Sequence, residues 1–371
     1  MTSIKRKTVT KEKHMNMIKR KGGKWMLFII LGLLTATLFI IGIYIYKCTH
    51  YWQPSYRATM NAGFEEKQVV LPDGSMINYS EGPDHGEPLL LIHGQTGSWK
   101  SYTSVLPELS KHWHVFAVDC YGHGNSAHDA AKYYLDKNSN DLIWFIEHII
   151  EEKTVVSGHS SGGLIAAYVA AYGGDYIAGA VLEDPPVFST EPDYFKKSFA
   201  YVDTYEVMHA FNQLDQPECW EAYYLRNCYW GQLYMANAMP GLANYAEQYS
   251  IRHPDKPVQF FFMPQSINLT FQYVDQYDFA FGEHFYDYTW HADIRHETLM
   301  SAIHVPTFFI HAKEQYSPDN ILMAASSDAQ ARKAVALIDD CQLIELESNH
   351  LIHWYHPEVF IDAVNRFLVS E

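Results

Sequence analysis

Thr154-Val155-Val156-Ser157-Gly158-His159-Ser160-Ser161-Gly162-Gly163-Leu164, continuing as IAAYVAAY to Tyr172, is the stretch on which the reading of this chain turns. Thr154-Val155-Val156 is a short apolar run without alternation, the pattern of a parallel strand buried on both faces. Leu164 to Tyr172 reads as a buried helix stopped by Gly173-Gly174. Between them Gly158, Ser160 and Gly162 match G-x-S-x-G. A strand that turns into a helix this sharply strains the central residue, and flanking glycines remove side chains that would clash. The Ser160 hydroxyl would then stand at the C-terminal edge of a sheet, over a helix N-terminus that favours developing negative charge.

Working outward, the same grammar repeats. Leu89-Leu90-Leu91-Ile92 stops at His93-Gly94, Val115-Phe116-Ala117-Val118 stops at Asp119, and Ala180–Glu183 is followed by Asp184. Leu142, Phe145, Ile146, Ile149 and Ile150 fall at helical spacing on one face. Val69-Val70-Leu71 and Ser75–Tyr79 flank the turn Pro72-Asp73-Gly74 as a hairpin. Towards the C-terminus come a strand at Thr307–Ile310, a helix near Asp328–Ile338, a strand near Gln342–Leu346 and a last helix near Val359–Leu368. Strands alternating with helices predict an α/β fold around a mostly parallel sheet. Residues 185–300 differ: they carry 27 of the chain's 56 Phe, Trp and Tyr. At about double the density elsewhere, these rings predict a mainly helical insertion with its own small core, some of them lining an apolar pocket. The expected division is 66–185 and 301–371 as the two parts of the core, with 186–300 as the aromatic insertion.

Two further loops carry chemistry. His93-Gly94-Gln95-Thr96-Gly97 follows the first buried strand, where acyl transfer needs donors for an oxyanion. The backbone N–H groups of Gln95 and Ser161 are the natural pair. Ser348-Asn349-His350-Leu351-Ile352-His353 follows the last strand. The chain has twenty histidines, so position selects among them: His350 is placed to act as general base, and His353 to prop the loop.

The N-terminus sets an expected address. Trp25 to Tyr46 is twenty-two residues without a charge. At ~1.5 Å per residue it spans a ~30 Å hydrocarbon core. The run exceeds a usual signal-peptide core, and KCTHYWQ lacks a small-x-small cleavage site, so an uncleaved anchor is expected. Residues 1–24 carry nine Lys/Arg against one acid, Glu12, and the other 347 residues are net −24, giving −16 for the chain of 371. By the positive-inside rule residues 1–24 form a basic cytoplasmic tail, 47–65 a stalk, and the acidic bulk lies outside the cytoplasm. Net acidity argues against a nucleic-acid partner. Five cysteines and no CxxC argue against structural zinc or a disulfide-dense scaffold. Cys219 and Cys228 are the closest pair, either as a disulfide or as two buried thiols. Asn78 and Asn268 stand in N-x-S/T contexts.

Five motifs occur in one order: LLLIHGQTGSW, DCYGHGNS (119–126), GHSSG, VLEDPP and NHLIHWYHPE. Together they resemble the α/β-hydrolase superfamily, in its capped serine esterase and C–C hydrolase-like branch. The resemblance covers roughly residues 66–185 and 301–371. It implies a cap at the aromatic insertion, Ser160 as nucleophile, His350 as base, and Gln95 with Ser161 as oxyanion donors. It implies no metal and no organic cofactor. One motif departs: the turn after Thr307–Ile310 reads His311-Ala312-Lys313-Glu314-Gln315, with Gln where the family keeps its triad acid. Asp184 is the favoured substitute, Asp319 the alternative, then Glu314 or Glu183. A serine at 160 rather than an aspartate points to acyl-enzyme chemistry and away from epoxide or halide substrates. The implied activity is hydrolysis of an ester with an apolar acyl or alcohol group. Amide, peptide or carbon–carbon cleavage on the same residues, or a non-catalytic ligand sensor, are the alternatives.

Overall fold

The computed structural model describes residues 2–215 and 217–369. Two compact units are distinguished: residues 1–51 with 260–269, and residues 52–259 with 270–371.

The second unit is built on an eight-stranded sheet: β1 (Glu65–Val70), β2 (Met76–Glu81), β3 (Glu87–Ile92), β4 (Trp113–Val118), β5 (Thr154–His159), β6 (Ile177–Glu183), β7 (Thr307–Ala312) and β8 (Cys341–Leu346). Their order is β1-β2-β4-β3-β5-β6-β7-β8, antiparallel at the β1–β2 and β2–β4 edges and parallel from β4 to β8. The apolar runs are continuous because both faces are covered. Leu90, Ile92, Phe116, Val118, Val156 and Leu182 point into one hydrophobic cluster. Their neighbours Leu89, Leu91, Val115, Ala117, Val155 and Val181 point into another. The outer strand β1 begins Glu65-Glu66-Lys67 and is exposed, so charge guards an unpaired edge.

Helices fall where periodicity placed them, with extensions. Leu135–Phe145 continues as a π turn to Ile150, the elbow helix runs Ser161–Tyr172, and the later ones are Asp328–Leu337 and Pro357–Asn365. Between β6 and β7 the chain is helical and strand-free among the described residues. The insertion's rings serve as its core: Phe281, Phe285 and Trp290 are buried, with Phe285 stacked on Trp290 at 4.3 Å and on Tyr205 at 4.9 Å. The same cluster contains Leu90, Val156 and Leu164, so insertion and sheet share one apolar interior.

Residues 47–65, expected as a stalk, hold the end of one helix and all of another, Gln53–Asn61. In that second helix Thr59 is buried and donates to Thr103 O at 3.3 Å, and Tyr56 packs on Trp99. Sequence missed it because Pro54 and the polar residues around it mask a short amphipathic face.

In the first unit one helix spans Thr2–Thr49. Its segment Lys24–Thr49 has a mean hydropathy of 2.7 and none of its apolar window is buried. Residues 260–269 meet its far end: Tyr44 Oη donates to Phe262 O at 3.2 Å, and Asn268 Nδ2 donates to Cys48 O at 2.9 Å. Asn268 and Asn78 are both buried with their amides engaged, so neither presents a glycosylation acceptor in the folded chain. Cys219 and Cys228 are free thiols.

One buried acid in the insertion gives the fold a pH signature. Asp203 accepts from Trp230 N at 2.7 Å and from Tyr224 Oη, and burial pushes its carboxyl up to about 6. The native state therefore holds a proton there that the unfolded chain has lost, and stability falls as pH rises through roughly 4 to 6. Asp203→Asn removes that loss: its melting temperature relative to the native chain is expected to rise between pH 5 and pH 7.5. A difference that is constant across that range would show that Asp203 is not protonated in the fold.

Candidate active site

Ser160 sits directly after β5 with φ 56° and ψ −124°, a backbone conformation that L-residues rarely adopt. What holds it there is the closeness of the surrounding backbone. A Cβ on Gly158 would lie 2.0 Å from Gly162 O, and one on Gly162 would lie 2.3 Å from His93 O. A Cβ on Gly94 would lie 2.8 Å from Ser160 Cβ, so the loop after β3 can approach the serine only without a side chain. Ser160 N–H donates to Glu183 O at 2.9 Å, tying the turn to the neighbouring strand.

At the end of β6, Asp184 also has positive φ, at 43°, which turns its side chain back over the sheet edge. Its Oδ2 accepts from His350 Nδ1 at 2.7 Å and its Oδ1 from Ala312 N at 3.1 Å. Burial alone would raise the Asp184 carboxyl. Contacts with His311 and His350 outweigh that and hold it below the usual carboxylate range. The preceding residue, Glu183, is fully buried and accepts from His353 N at 2.7 Å and His353 Nδ1 at 2.9 Å. His159 Nε2 donates to His350 O at 3.1 Å, and the two rings lie 4.5 Å apart. Two adjacent acids and one histidine thus fix the loop that carries His350. No hydrogen bond joins Ser160 Oγ to His350 among the described residues. Such contacts are often long before substrate binds.

The structure separates the sequence candidates for the acid. Asp184 meets His350. Asp319 instead accepts from Tyr229 Oη at 3.0 Å. Glu314 accepts from Asp328 N at 3.1 Å, and Glu183 is committed to His353.

Gln95 lies on the loop after β3 and Ser161 opens the helix that follows Ser160, and neither backbone N–H donates to a protein acceptor among the described residues. The Gln95 side chain is gripped from the insertion: Tyr205 Oη donates to its Oε1, and its Nε2 donates to Tyr277 Oη. Thr96 N–H donates to His123 Nε2 at 3.1 Å. Asp119 orders the D-x-x-G-x-G-x-S segment by accepting from Trp99 N and Asn78 Nδ2, both at 2.8 Å, and from Asn125 N at 3.0 Å. The sequence motifs assign no role to Tyr205, Tyr277, His123 or His311. No local pattern marks them, although the odd turn at 311–315 was a signal to look there. Among the described residues no group of three or more His, Cys, Asp or Glu is arranged to hold a metal.

Against known proteins, a family model described as alpha/beta hydrolase fold matches residues 87–215. A serine hydrolase-like protein of Danio rerio is 29% identical over 128 residues, which are 34% of this chain and 39% of that protein. Lipase LipV of Mycobacterium tuberculosis (strain ATCC 25618 / H37Rv) is 36% identical over 109 residues, 29% of this chain and 40% of that protein. These matches thus span about two fifths of each relative. Among solved structures, a bacterial membrane phospholipase A superposes with a TM-score of 0.57 at 18% identity, covering 92% of this chain and 98% of that one.

If Asp184 orients His350, Asp184→Asn is expected to lower the turnover of a hydrolysed ester by about 10⁴-fold, as loss of a triad acid does. Asp319→Asn should stay near the native rate. Equal, small effects of the two changes in a steady-state assay would remove Asp184 from the site.

Proposed function

We propose that the chain, which has the α/β-hydrolase fold, is a membrane-anchored serine hydrolase acting on an ester with an apolar acyl or alcohol group. The observation that carries this reading is the conjunction at one sheet edge of a backbone-strained Ser160 and the His350–Asp184 pair. Ser160 Oγ attacks the acyl carbon while His350 takes the hydroxyl proton at Nε2, its other nitrogen held by Asp184. The oxyanion is received by the N–H groups of Gln95 and Ser161, whose loss typically costs ~2.7–4 kcal/mol per donor. His350 then returns the proton to the leaving alcohol, and water, deprotonated by the same ring, resolves the acyl-enzyme.

The aromatic insertion supports an apolar substrate, because its rings and the sheet's side chains belong to one continuous apolar cluster. The exposed apolar helix Lys24–Thr49, preceded by a basic tail, supports retention in the membrane with the catalytic unit on the extracytoplasmic side. A lipase and a serine hydrolase-like protein among the relatives are consistent with this chemistry.

A fluorophosphonate probe is expected to label the full chain in detergent at Ser160 and to leave Ser160→Ala unlabelled. Failure of the native chain to take the probe refutes the enzyme and favours a ligand sensor. Across p-nitrophenyl esters from acetate to octanoate, kcat/KM should rise by about two- to fourfold per buried methylene, the most that ~0.8 kcal/mol allows. A flat or falling series would remove the apolar-acyl substrate.

A further inference from the structure

His311, near the end of β7, is fully buried and has a carboxylate at each ring nitrogen. Its Nε2 donates to Asp328 Oδ1 at 3.0 Å. Its Nδ1 stands 3.4 Å from Asp184 Oδ1, a charge contact without hydrogen-bond alignment. Asp184 in turn holds His350 at 2.7 Å. Four side chains therefore alternate in a row from His350 through Asp184 and His311 to Asp328: imidazole, carboxylate, imidazole, carboxylate. The reaction described above uses only the first two.

The inner pair is rigidly held. Asp328 Oδ1 also accepts from Glu314 N at 2.9 Å, while Asp328 N–H donates to Glu314 Oε2 at 3.1 Å. Arg332 lies 3.6 Å from Asp328 Oδ2 and is shared with Glu345 of β8 at 2.8 Å. Asp328 also opens the helix Asp328–Leu337, whose N-cap Ser327 forms a capping box with Gln330. Burial works against a charge on His311, but Asp184 and Asp328 outweigh it and hold the ring above its ordinary value. On the other side, His350 faces Asp184 and the His159 ring, which burial keeps from charging, with the Glu183–His353 pair beyond.

We propose that His311 is a positioning residue: a buried imidazole between Asp328 and Asp184 that offsets part of the Asp184 carboxylate's pull on the His350 proton. An unopposed buried carboxylate would favour the protonated form of His350, and a general base must be unprotonated to act. The His311 imidazole competes for Asp184 and so weakens that pull.

The inference rests on the hydrolase reading, and the experiment separates the two. The rate of fluorophosphonate labelling of the full chain is measured against pH for the native protein, His311→Asn and Asp328→Asn. Asparagine at 311 keeps a polar group facing Asp184 and removes the imidazole. The acid limb of the labelling rate is expected to move up by about 0.5–1 unit in His311→Asn. In Asp328→Asn, where the ring loses one of its two carboxylates, it should move less, in the same direction. Folded variants, judged by thermal melts, whose limb stays at the native position overturn the proposal. So does a rate lowered equally at every pH, the mark of a merely structural role. If His311→Asn does not fold, Asp328→Asn decides alone, since its side chain is partly exposed. A native chain that takes no label at any pH refutes the hydrolase reading itself, and the proposal with it.

Discussion

The dipeptide Glu183-Asp184 at the end of β6 is the constraint on which the site depends. Its first carbonyl receives the N–H of Ser160 at 2.9 Å, its first carboxylate holds His353 at 2.7 Å, and its second holds His350 at 2.7 Å. The turn at Ser160 and the C-terminal loop at His350 come from segments some 190 residues apart, yet they are referenced to two consecutive residues. That is feasible because β6 lies between β5 and β7 in the parallel sheet, so its C-terminal end faces the loops of both neighbours. Both acids are buried, where a carboxylate without partners would be costly, so loss of either histidine removes one of the few partners its acid has. The same physics that stabilises the loop therefore fixes its geometry.

The insertion participates in that geometry. Tyr205 and Tyr277 are buried, and both spend their hydroxyls on the side-chain amide of Gln95, in the loop that follows β3. Thr96 beside it has positive φ, at 58°, and gives its N–H to His123, whose ring packs on Tyr277 and Phe281. A polar network enclosed by aromatic rings has few alternative arrangements, since every unmade bond there forfeits its full value. The insertion thus shares its core with the sheet and also orients the loop that faces Ser160.

Much of the fold was legible in consecutive residues. The buried runs became β3, β4, β5, β6 and β7, and the hairpin and later helices appeared within a few residues of their expected ends. The glycines of GHSSG were legible too, because their necessity is steric and local. Less was legible where polar residues conceal a packed face, as in the helix Gln53–Asn61. The row His350–Asp184–His311–Asp328 was not legible, because its members come from four separate segments.

By itself, the sequence determined the strand-and-helix alternation, the strained serine turn, the aromatic insertion between two strands and the uncharged N-terminal run. Each follows from periodicity, turn sterics or hydropathy among residues adjacent in the chain. Only the tertiary structure decided which acid meets His350, what Glu183, Glu314 and Asp319 bind instead, and that a second imidazole stands behind Asp184. Those outcomes depend on the register of β6 against β7 and on where loops land at the sheet's edge. Distances of about 3 Å between remote segments are set by packing of the whole core, and no window of sequence contains them.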